Sequence, residues 1–277
     1  MFRLTGRVAL LGKPLKRRHS VVMHNAAFAA AGIDAEYVLR ELDADDVPAA
    51  VAEARGEGWL GLGVTAPYKK LVATLLDEVE PDARDIGAVN NVVRTSEGRL
   101  IGFNTDAPGF RTAVELAMNM PLTGARVVVA GAGGVAQAVA YACRHAGVAS
   151  LTVGNRTLPA NAAGIDAVAF DSTDFQQALR SADLAVNATT VGMVDPGMTL
   201  DVEALPVGAM VFDCVYVPRE TPLLAAARAR GLNAANGEEM LIAQAAIAFE
   251  RWTGVGGMGD VMREAVAPLF ADAGASA

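Results

Sequence analysis

Two ionisable side chains, Lys69 and Asp106, stand where a lysine–carboxylate pair could move a proton. Lys69 follows a predicted strand and turn over residues 59–67, and Asp106 ends the run Gly102-Phe-Asn-Thr-Asp106. An ammonium group can protonate a carbonyl oxygen during reduction, and a neighbouring carboxylate orients it and changes its pKa. The same positions also suit a solvated helix lysine beside Lys70 and a helix N-cap at Asp106. Residue types and spacing leave both interpretations open.

A glycine-rich turn between a predicted strand and a predicted helix is the second chemical feature. The run Arg126-Val-Val-Val-Ala-Gly-Ala-Gly-Gly134 leads from a buried strand into an alanine-rich helix. Gly131 permits a tight turn, and Gly133 lets the backbone approach a pyrophosphate without a Cβ. Gly134 opens a helix whose free N–H groups face the anion. The sequence therefore predicts a dinucleotide site made by Gly131, Ala132, Gly133, Gly134 and Val135.

The end of the next predicted strand indicates which dinucleotide would bind. The strand Ser150-Leu-Thr-Val-Gly154 ends in Asn155-Arg156-Thr157. No carboxylate is found there, where a site for NAD would bind the ribose 2′-hydroxyl. Arg156 can instead bind a 2′-phosphate through charge-assisted hydrogen bonds, although an ordinary solvated loop arginine is the alternative. We interpret the pattern as a site for NADP, with NAD as a weaker alternative.

Composition and charge narrow the class of protein. The chain has 277 residues, 52% of them hydrophobic and 19% charged, which is typical of one large or two medium globular domains. A formal net charge of -8 disfavours a nucleic-acid-binding surface. No apolar stretch reaches the ~18 residues of a membrane span, and the N-terminus does not resemble a signal peptide. The two cysteines and three histidines are scattered, so we expect a reduced, cytoplasmic protein without a metal ion.

Alternating apolar runs predict that two α/β lobes position these groups. In the first lobe, the predicted strands are Val8–Leu11, Ala35–Leu39, Trp59–Val64, Ala88–Arg94 and Leu100–Asn104. The predicted helices there are Val21–Ala31, Asp46–Arg55 and one that Pro67 opens as a first-turn proline. The last two strands should pair around the turn Ser96-Glu-Gly98.

The second lobe is predicted to be a Rossmann-like NADP-binding domain over residues 106–237. After the glycine-rich unit, strands are predicted at Ala167–Phe170, Leu184–Ala188 and Met210–Val215. The helices Glu238–Trp252 and Met258–Phe270 should pack back on the first lobe. Residues 1–105, completed by 238–277, would then form a substrate-binding and catalytic domain.

Motifs along nearly the whole chain resemble, in order, those of the shikimate dehydrogenase family. They are Gly12-x-Pro14 with Met23-His-Asn-Ala-Ala-Phe28, Val64-Thr-Ala-Pro-Tyr-Lys69, Gly87-Ala-Val-Asn90, Gly102-Phe-Asn-Thr-Asp106, Gly131-Ala-Gly-Gly134, Asn155-Arg-Thr157, Asn187-Ala-Thr-Thr-Val-Gly-Met193, Asp213-Cys-Val-Tyr-Val-Pro218, Thr221-Pro-Leu-Leu224 and Met240-Leu-Ile-Ala-Gln-Ala245. The resemblance implies an enzyme that interconverts 3-dehydroshikimate and shikimate with NADP. It would belong to the chorismate pathway of aromatic amino acid biosynthesis.

The resemblance also implies a role for each matching residue. Lys69 and Asp106 would be the catalytic pair. The hydroxyls and carboxylate of a ring acid would be bound by Ser20, Thr65, Asn90, Tyr216 and Gln244. The pyrophosphate would lie on the glycine-rich turn, and the adenosine ribose and its phosphate on Asn155, Arg156 and Thr157. Thr189, Cys214 and Gly237 would also contact the cofactor, the last two at its nicotinamide end.

The first departure from the family pattern concerns the residues that bind the substrate carboxylate. The family usually places two serines, one residue apart, against the substrate carboxylate, and here Arg18 precedes Ser20. Arg18 could hold a carboxylate by a fork of two N–H bonds, or it could turn outward with Lys16 and Arg17. The sequence leaves both open.

Three further departures lie beside the predicted sites. Gly63 replaces the asparagine usual before Val-Thr, and Glu239 replaces a usual glycine and could pair with Arg18 or a cationic substrate group. Leu158-Pro-Ala-Asn161 stands where a basic residue often follows Asn-Arg-Thr, which would weaken discrimination against NAD. We therefore expect reversible hydride transfer between NADP(H) and a shikimate-like cyclic hydroxy acid by a monomer or homodimer. The alternatives are a quinate or aminoshikimate dehydrogenase and a non-catalytic ligand-binding homologue.

Overall fold

Short apolar runs form the strands of two separate six-stranded sheets in this computed structural model, which describes residues 5–157, 166–193 and 195–272. Each sheet belongs to its own unit of the chain. The first unit contains the described residues up to Thr105 together with Gln244–Leu269. The second contains Asp106–Ala243 together with Phe270 and the described residues that follow it.

The first unit has a mixed sheet. Its strands are β1 (Thr5–Gly12), β2 (Asp34–Glu41), β3 (Trp59–Val64), β4 (Glu78–Val79), β5 (Asn91–Arg94) and β6 (Leu100–Phe103). They lie in the order β2-β1-β3-β5-β6-β4. β1 runs parallel to β2 and β3, whereas β5 runs antiparallel to β3 and β6. The predicted pairing of the last two strands around a tight turn is confirmed.

The two faces of β3 pack differently because its side chains alternate. The helices of the first unit that precede residue 106 are α1 (His19–Ala30), α2 (Val47–Glu53), α3 (Lys69–Ala73) and α4 (Pro81–Ile86), with a 3₁₀ turn at Ala44–Asp46. On one face, Leu62 and Val64 join a buried cluster with residues of α2 and α3. On the other face, glycines replace side chains, so the Trp252 indole and the Tyr37 hydroxyl approach the β3 backbone at Gly61 and Gly63.

The local structure around Pro67 differs from the prediction. The strand Trp59–Val64 has the predicted bounds. However, the Tyr68 N–H donates to the Thr65 carbonyl at 3.0 Å, which closes a turn that contains Pro67. The next helix begins only at Lys69. The prediction that Pro67 opens a helix is therefore wrong, because this turn takes the residues that would have formed the first helical turn.

The second unit contains a fully parallel sheet. Its strands are β7 (Arg126–Ala130), β8 (Ser150–Asn155), β9 (Ala167–Ala169), β10 (Leu184–Asn187), β11 (Met210–Asp213) and β12 (Asn233–Asn236), in the order β12-β11-β10-β7-β8-β9. Its helices are α5 (Asp106–Met118), α6 (Gly134–His145), α7 (Thr173–Leu179) and α8 (Pro222–Ala229). Counted from β7, the strand order is 3-2-1-4-5-6, the Rossmann order, with the reversal between β7 and β10. The predicted Rossmann-type sheet is confirmed.

Two helices follow β12, α9 (Glu238–Thr253) and α10 (Gly259–Asp272). Within the first unit, the Trp252 indole N–H donates to the Val92 carbonyl of β5 at 2.9 Å, and Arg251 forms an ion pair with Glu80. These contacts agree with the expectation that the C-terminal helices pack back on the first lobe. Among the described residues, no helix is both long enough and apolar enough to cross a membrane.

Candidate functional site

Main-chain hydrogen bonds bring three of the predicted motifs together in the first unit. The Val64 N–H donates to the Asn90 carbonyl at 2.8 Å, and the Val89 N–H donates to the Lys69 carbonyl at 3.2 Å. The Asn90 N–H donates to the Phe103 carbonyl at 3.2 Å. The end of β3, the start of β5 and the end of β6 therefore meet at one place. The lysine, asparagine and aspartate motifs are adjacent there although they are far apart in the sequence.

The opening motif reaches the same place from β1. The Thr65 N–H donates to the Leu11 carbonyl at 2.9 Å, and the Lys13 N–H donates to the Ala66 carbonyl at 3.2 Å. A Cβ on Gly12 would collide with the Thr65 side chain. Because no larger residue fits, the glycine of the opening motif is required for this close approach.

A network of amide and hydroxyl groups holds two of the predicted substrate residues. The Thr105 N–H donates to Asn90 Oδ1 at 2.8 Å, and the Thr105 hydroxyl accepts from the side-chain amides of Asn90 and Asn91 at 3.1 and 2.9 Å. The same hydroxyl donates to Gln244 Oε1 at 3.2 Å. Thr105 is fully buried. The network thus fixes the Asn90 and Gln244 amides relative to each other before any ligand binds.

The other predicted residues of the first unit are more exposed. Lys69 is half-buried at the start of α3, and Thr65 is half-buried in the turn before it. Ser20 is half-buried in α1. Arg18 precedes α1, where its carbonyl accepts from the Val22 N–H, and its side chain is exposed. Exposure of Arg18 is compatible with both of its predicted roles, which stay predictions.

Asp106 and the glycine-rich turn belong to the second unit. Asp106 is the first residue of α5 and is buried, so its carboxylate lies at the positive end of the helix dipole. Gly131 has a φ of 117°, and a Cβ there would lie 2.9 Å from the Ala188 carbonyl oxygen. Gly133 caps α6, and a Cβ on it would meet nothing within 4 Å. Open space in front of free helix N–H groups fits a pyrophosphate.

The residues after β8 form a constrained loop. The Asn155 side-chain amide donates to the Thr157 carbonyl at 2.6 Å, and Arg156 between them is exposed. An exposed guanidinium at this strand end is free to meet a 2′-phosphate. The departure at Leu158–Asn161 lies outside the described residues.

The remaining predicted cofactor residues stand at the ends of β10, β11 and β12. The Thr189 hydroxyl donates to Asn187 Oδ1 at 2.7 Å, and the Cys214 N–H donates to the Asn187 carbonyl at 2.9 Å. The Gly237 N–H donates to the Val215 carbonyl at 3.1 Å, and a Cβ on Gly237 would collide with the Cys214 carbonyl. Burial, with the nearby carboxylates of Asp213 and Asp106, raises the pKa of the Cys214 thiol well above its usual range. The thiol is therefore a neutral group at physiological pH.

Tyr216 and Glu239, for which the sequence predicts contacts with the substrate, follow β11 and β12. Tyr216 is half-buried, with its ring edge-on to Phe270 at a centroid distance of 6.2 Å. Glu239 is half-buried in the first turn of α9. Its predicted partnership with Arg18 or a substrate cation stays a prediction. Over the described ranges, no group of three or more His, Cys, Asp or Glu side chains is arranged to hold a metal ion.

Sequence reasoning missed the residues that hold the others in place. Asn91, Thr105, Asn187 and Asp213 carry most of the side-chain hydrogen bonds around the predicted sites. All four lie within or directly beside the motifs. Polar residues beside the motif residues were therefore the sequence signal that could have identified these four positions. A buried amide or carboxylate requires hydrogen-bond partners.

Comparisons with known proteins agree with these placements. Residues 10–92 match the family model of the shikimate dehydrogenase substrate binding domain, and residues 237–267 match that of the shikimate 5'-dehydrogenase C-terminal domain. The chain is 42% identical to a shikimate dehydrogenase (NADP(+)) of Symbiobacterium thermophilum over 94% of this chain and 93% of that protein.

Two solved structures are similar over almost their whole length. The shikimate 5-dehydrogenase from Thermus thermophilus, in complex with NADP(H) and shikimate, is 38% identical with a TM-score of 0.85, covering 95% of this chain and 99% of that one. The quinate dehydrogenase from Corynebacterium glutamicum, in complex with NAD, is 35% identical with a TM-score of 0.85, covering 95% and 99%. The same fold therefore serves two ring acids and two dinucleotides among its relatives.

Proposed function

We propose, since the chain belongs to the shikimate dehydrogenase family, that it is an oxidoreductase that interconverts 3-dehydroshikimate and shikimate with NADP. The reaction serves the chorismate pathway of aromatic amino acid biosynthesis. The observation that carries the proposal is the network in which the Thr105 hydroxyl joins Asn90 and Gln244. Pre-positioned amides can bind the vicinal hydroxyls of a polyhydroxylated ring at low entropic cost.

The two units take different tasks in this proposal. The first predicted domain, residues 1–105 completed by 238–277, binds substrate, and the match of residues 10–92 to a substrate binding domain supports this. The second predicted domain, residues 106–237, binds NADP, and the 3-2-1-4-5-6 parallel sheet of the second unit supports this.

Proton transfer is assigned to Lys69, with Asp106 as its carboxylate partner. When bound, NADPH supplies a hydride to the carbonyl carbon of 3-dehydroshikimate. The Lys69 ammonium gives a proton to the carbonyl oxygen, so that a hydroxyl group forms, and in oxidation the neutral amine takes that proton back. In this assignment the Asp106 carboxylate orients the ammonium group.

Substrate recognition uses neutral hydrogen-bonding groups and one cation. The hydroxyls and carboxylate of the ring acid would be hydrogen-bonded by Ser20, Thr65, Asn90, Tyr216 and Gln244. Arg18 would add a fork of two N–H bonds to that carboxylate. An arginine in place of a serine also favours a second candidate, a quinate or aminoshikimate dehydrogenase, which the similarity to a quinate dehydrogenase supports.

Cofactor recognition uses the turn Gly131–Val135 for the pyrophosphate and Arg156 for the 2′-phosphate. Asn155 and Thr157, which are joined by a hydrogen bond, would bind the adenosine ribose and its phosphate together with Arg156. Thr189 would also contact the cofactor, and Cys214 and Gly237 would lie toward the nicotinamide. We expect NADP to be preferred to NAD, since a guanidinium binds the additional phosphate dianion. A monomer or homodimer in the cytoplasm is the proposed acting species, and the free thiols Cys143 and Cys214 support a reducing compartment.

Initial rates of NADPH or NADH formation test the proposed function. Purified protein is assayed with NADP or NAD and with shikimate, quinate or aminoshikimate. Fast oxidation of shikimate with NADP is expected. Faster turnover of quinate or aminoshikimate would support the second candidate and make Arg18 the first residue to mutate. No turnover on any acid, despite measurable NADP binding, would contradict the proposal and favour a ligand-binding homologue.

A further inference from the structure

A buried carboxylate at the end of β11 has no assigned role in substrate or cofactor binding. Asp213 is fully buried. In the part of the chain that the structure describes, no cationic side chain forms an ion pair with it. Burial of a charge without a cation is costly and is retained only where hydrogen bonds compensate for it.

Three hydrogen-bond donors compensate for the burial of the Asp213 carboxylate. Its Oδ2 accepts from the Thr221 hydroxyl at 2.6 Å, and its Oδ1 accepts from the Val215 N–H at 3.0 Å and from Asn187 Nδ2 at 2.9 Å. Burial raises the pKa of Asp213, and these three hydrogen bonds oppose the rise. The carboxylate thus joins the end of β11, the start of α8 and the end of β10.

Asn187 carries the connection onward to the loop after β10. Its amide nitrogen donates to Asp213 and to the Val191 carbonyl at 3.1 Å, so both amide hydrogens are used and the orientation of the amide is fixed. Its Oδ1 then faces the loop, where it accepts from the Thr189 N–H at 3.2 Å and from the Thr189 hydroxyl at 2.7 Å. The orientation of Asn187 therefore determines where Thr189 lies.

The same carboxylate fixes Cys214 from the other side. Cys214 lies between Asp213 and Val215, whose N–H is bound by Asp213 Oδ1. The Cys214 N–H is held by the Asn187 carbonyl at 2.9 Å. Two residues assigned to the cofactor site thus depend on Asp213 by different routes. Thr189 is held through the Asn187 side chain, and the Cys214 segment is held through the Val215 N–H, whereas the Cys214 N–H itself is bound by the Asn187 main-chain carbonyl.

We propose that Asp213 is a positioning residue for the nicotinamide half of NADP: it sets the loop of Thr189 through the Asn187 side chain and the Cys214 segment through the Val215 N–H. This inference rests on the proposed function. Asp213 is assigned no contact with the substrate or with the adenosine half of the cofactor, because the glycine-rich turn follows β7 and Arg156 follows β8.

Binding of NADP and of adenosine 2′,5′-bisphosphate, measured by calorimetry, tests the proposal without using turnover. The fragment carries the adenosine and its 2′-phosphate but no nicotinamide. Asp213→Ala removes both acceptor oxygens, and with them all three hydrogen bonds, and is expected to weaken NADP binding roughly tenfold or more, with fragment binding within about twofold of wild type. Asp213→Asn keeps the Oδ1 acceptor for Asn187 and Val215 and is expected to restore NADP binding to within about threefold of wild type.

A milder pair of variants covers the case in which Asp213→Ala fails to fold. Thr221→Val removes one donor to Asp213 and an N-cap oxygen that accepts from the Leu224 N–H at 3.3 Å. Ser172→Ala removes an N-cap oxygen that accepts from the Phe175 N–H, also at 3.3 Å, and does not contact Asp213. We expect NADP binding about threefold weaker in the first and unchanged in the second, with fragment binding unchanged in both.

The outcomes separate this inference from the proposed function. Equal losses of NADP and fragment affinity would show a general structural role and overturn the inference, as would unchanged NADP affinity in Asp213→Ala or, if that variant does not fold, in Thr221→Val. Wild-type protein that does not bind NADP would overturn the proposed function as well.

Discussion

Lys69 and Lys70 are adjacent on α3, but only Lys69 belongs to the lysine motif. The Lys69 carbonyl accepts a hydrogen bond from the Val89 N–H. Lys69 is half-buried and Lys70 is exposed, which gives a matched pair for mutagenesis. Lys69→Ala is expected to lower kcat about 10²-fold or more, because the group that donates and accepts the proton is lost. Lys70→Ala should leave kcat within about twofold of wild type, since exposed substitutions have small effects. Nearly full turnover by Lys69→Ala on its best substrate would disprove the assigned mechanism.

Gly63 stands where relatives usually carry an asparagine, and the structure explains how the space is filled. A Cβ on Gly63 would lie 2.6 Å from the Tyr37 hydroxyl oxygen and 3.1 Å from Leu10 Cδ1. Tyr37 cannot easily move away, because its ring stacks on His24 at 4.4 Å and its main chain is held by Asn25 at 2.8 and 3.0 Å. Gly63 and Tyr37 are therefore a coupled pair.

Unfolding in urea can measure this coupling. Gly63→Ala is expected to lower the free energy of unfolding by about 1–3 kcal/mol, because the added methyl group overpacks against the Tyr37 hydroxyl. In a Tyr37→Phe background, which lacks that oxygen, the penalty should fall by about 0.5 kcal/mol or more. Gly259→Ala in the same unit is the control, since its Cβ would meet nothing within 4 Å. Equal penalties in both backgrounds would mean that the two residues are independent.

Two glycines in the turn between β7 and α6 have different functions. Gly131 needs its positive φ and the close approach to Ala188, whereas Gly133 has an ordinary φ of -77° and open space before it. Gly131→Ala should lower the Tm of the ligand-free protein, because it strains the backbone. Gly133→Ala should leave that Tm unchanged but weaken NADP binding roughly tenfold, because its methyl group projects where the pyrophosphate binds. Thermal melts with and without NADP measure both, and a loss of Tm in Gly133→Ala would contradict the assignment.

The sequence predicts elements well where local pattern and packing agree. The glycine-rich run after an apolar strand predicts β7 and α6, and Trp59–Val64 is predicted with its observed bounds. β12 was not predicted, because Asn233-Ala-Ala-Asn236 has no apolar run. That strand forms because it pairs in parallel with β11, a contact that the local sequence does not encode.

The same limit applies to the candidate site. Motif spacing identifies Lys69 and Asn90, but nothing local indicates that Thr105 connects Asn90 to Gln244. Nor does the sequence show that Asp213 reaches Thr189 through Asn187. Such positioning roles depend on the pairing of strand ends, which only the folded chain specifies.

At the scale of the whole molecule, the beginning and end of the chain share one aromatic cluster in the first unit. His24 and Phe28 of α1 pack with Tyr37 of β2 and with Phe249 and Trp252 of α9. The ring centroids of His24 and Trp252 are 5.1 Å apart. Helix α9 therefore contributes to the core of the unit that the N-terminal residues begin, and the stability of that unit depends on both.

This cluster makes the stability of the fold depend on pH. Burial lowers the pKa of His24 from 6.5 to about 3. Its Nδ1 is buried without a hydrogen-bond partner among the described residues, and the stacked Tyr37 stays neutral because burial raises its pKa. Between these two pH values the unfolded chain binds a proton at His24 that the folded chain does not. The contribution of His24 to the free energy of unfolding therefore falls as the pH falls from 6.5 towards 3, and His19, whose pKa burial also lowers, acts in the same direction.

Urea unfolding between about pH 7 and pH 5.5 tests this dependence, because the range lies above the titration of ordinary carboxyl groups. His24 is expected to account for a loss of about 1 kcal/mol in the free energy of unfolding over that range. His24→Phe keeps an aromatic ring in the stack and removes the titrating nitrogen, so this part of the pH dependence should disappear. His145→Asn, which removes an exposed histidine, is the control and should follow the wild-type curve. If His24→Phe loses as much stability between the two pH values as the wild type, the pH dependence does not originate in the aromatic cluster.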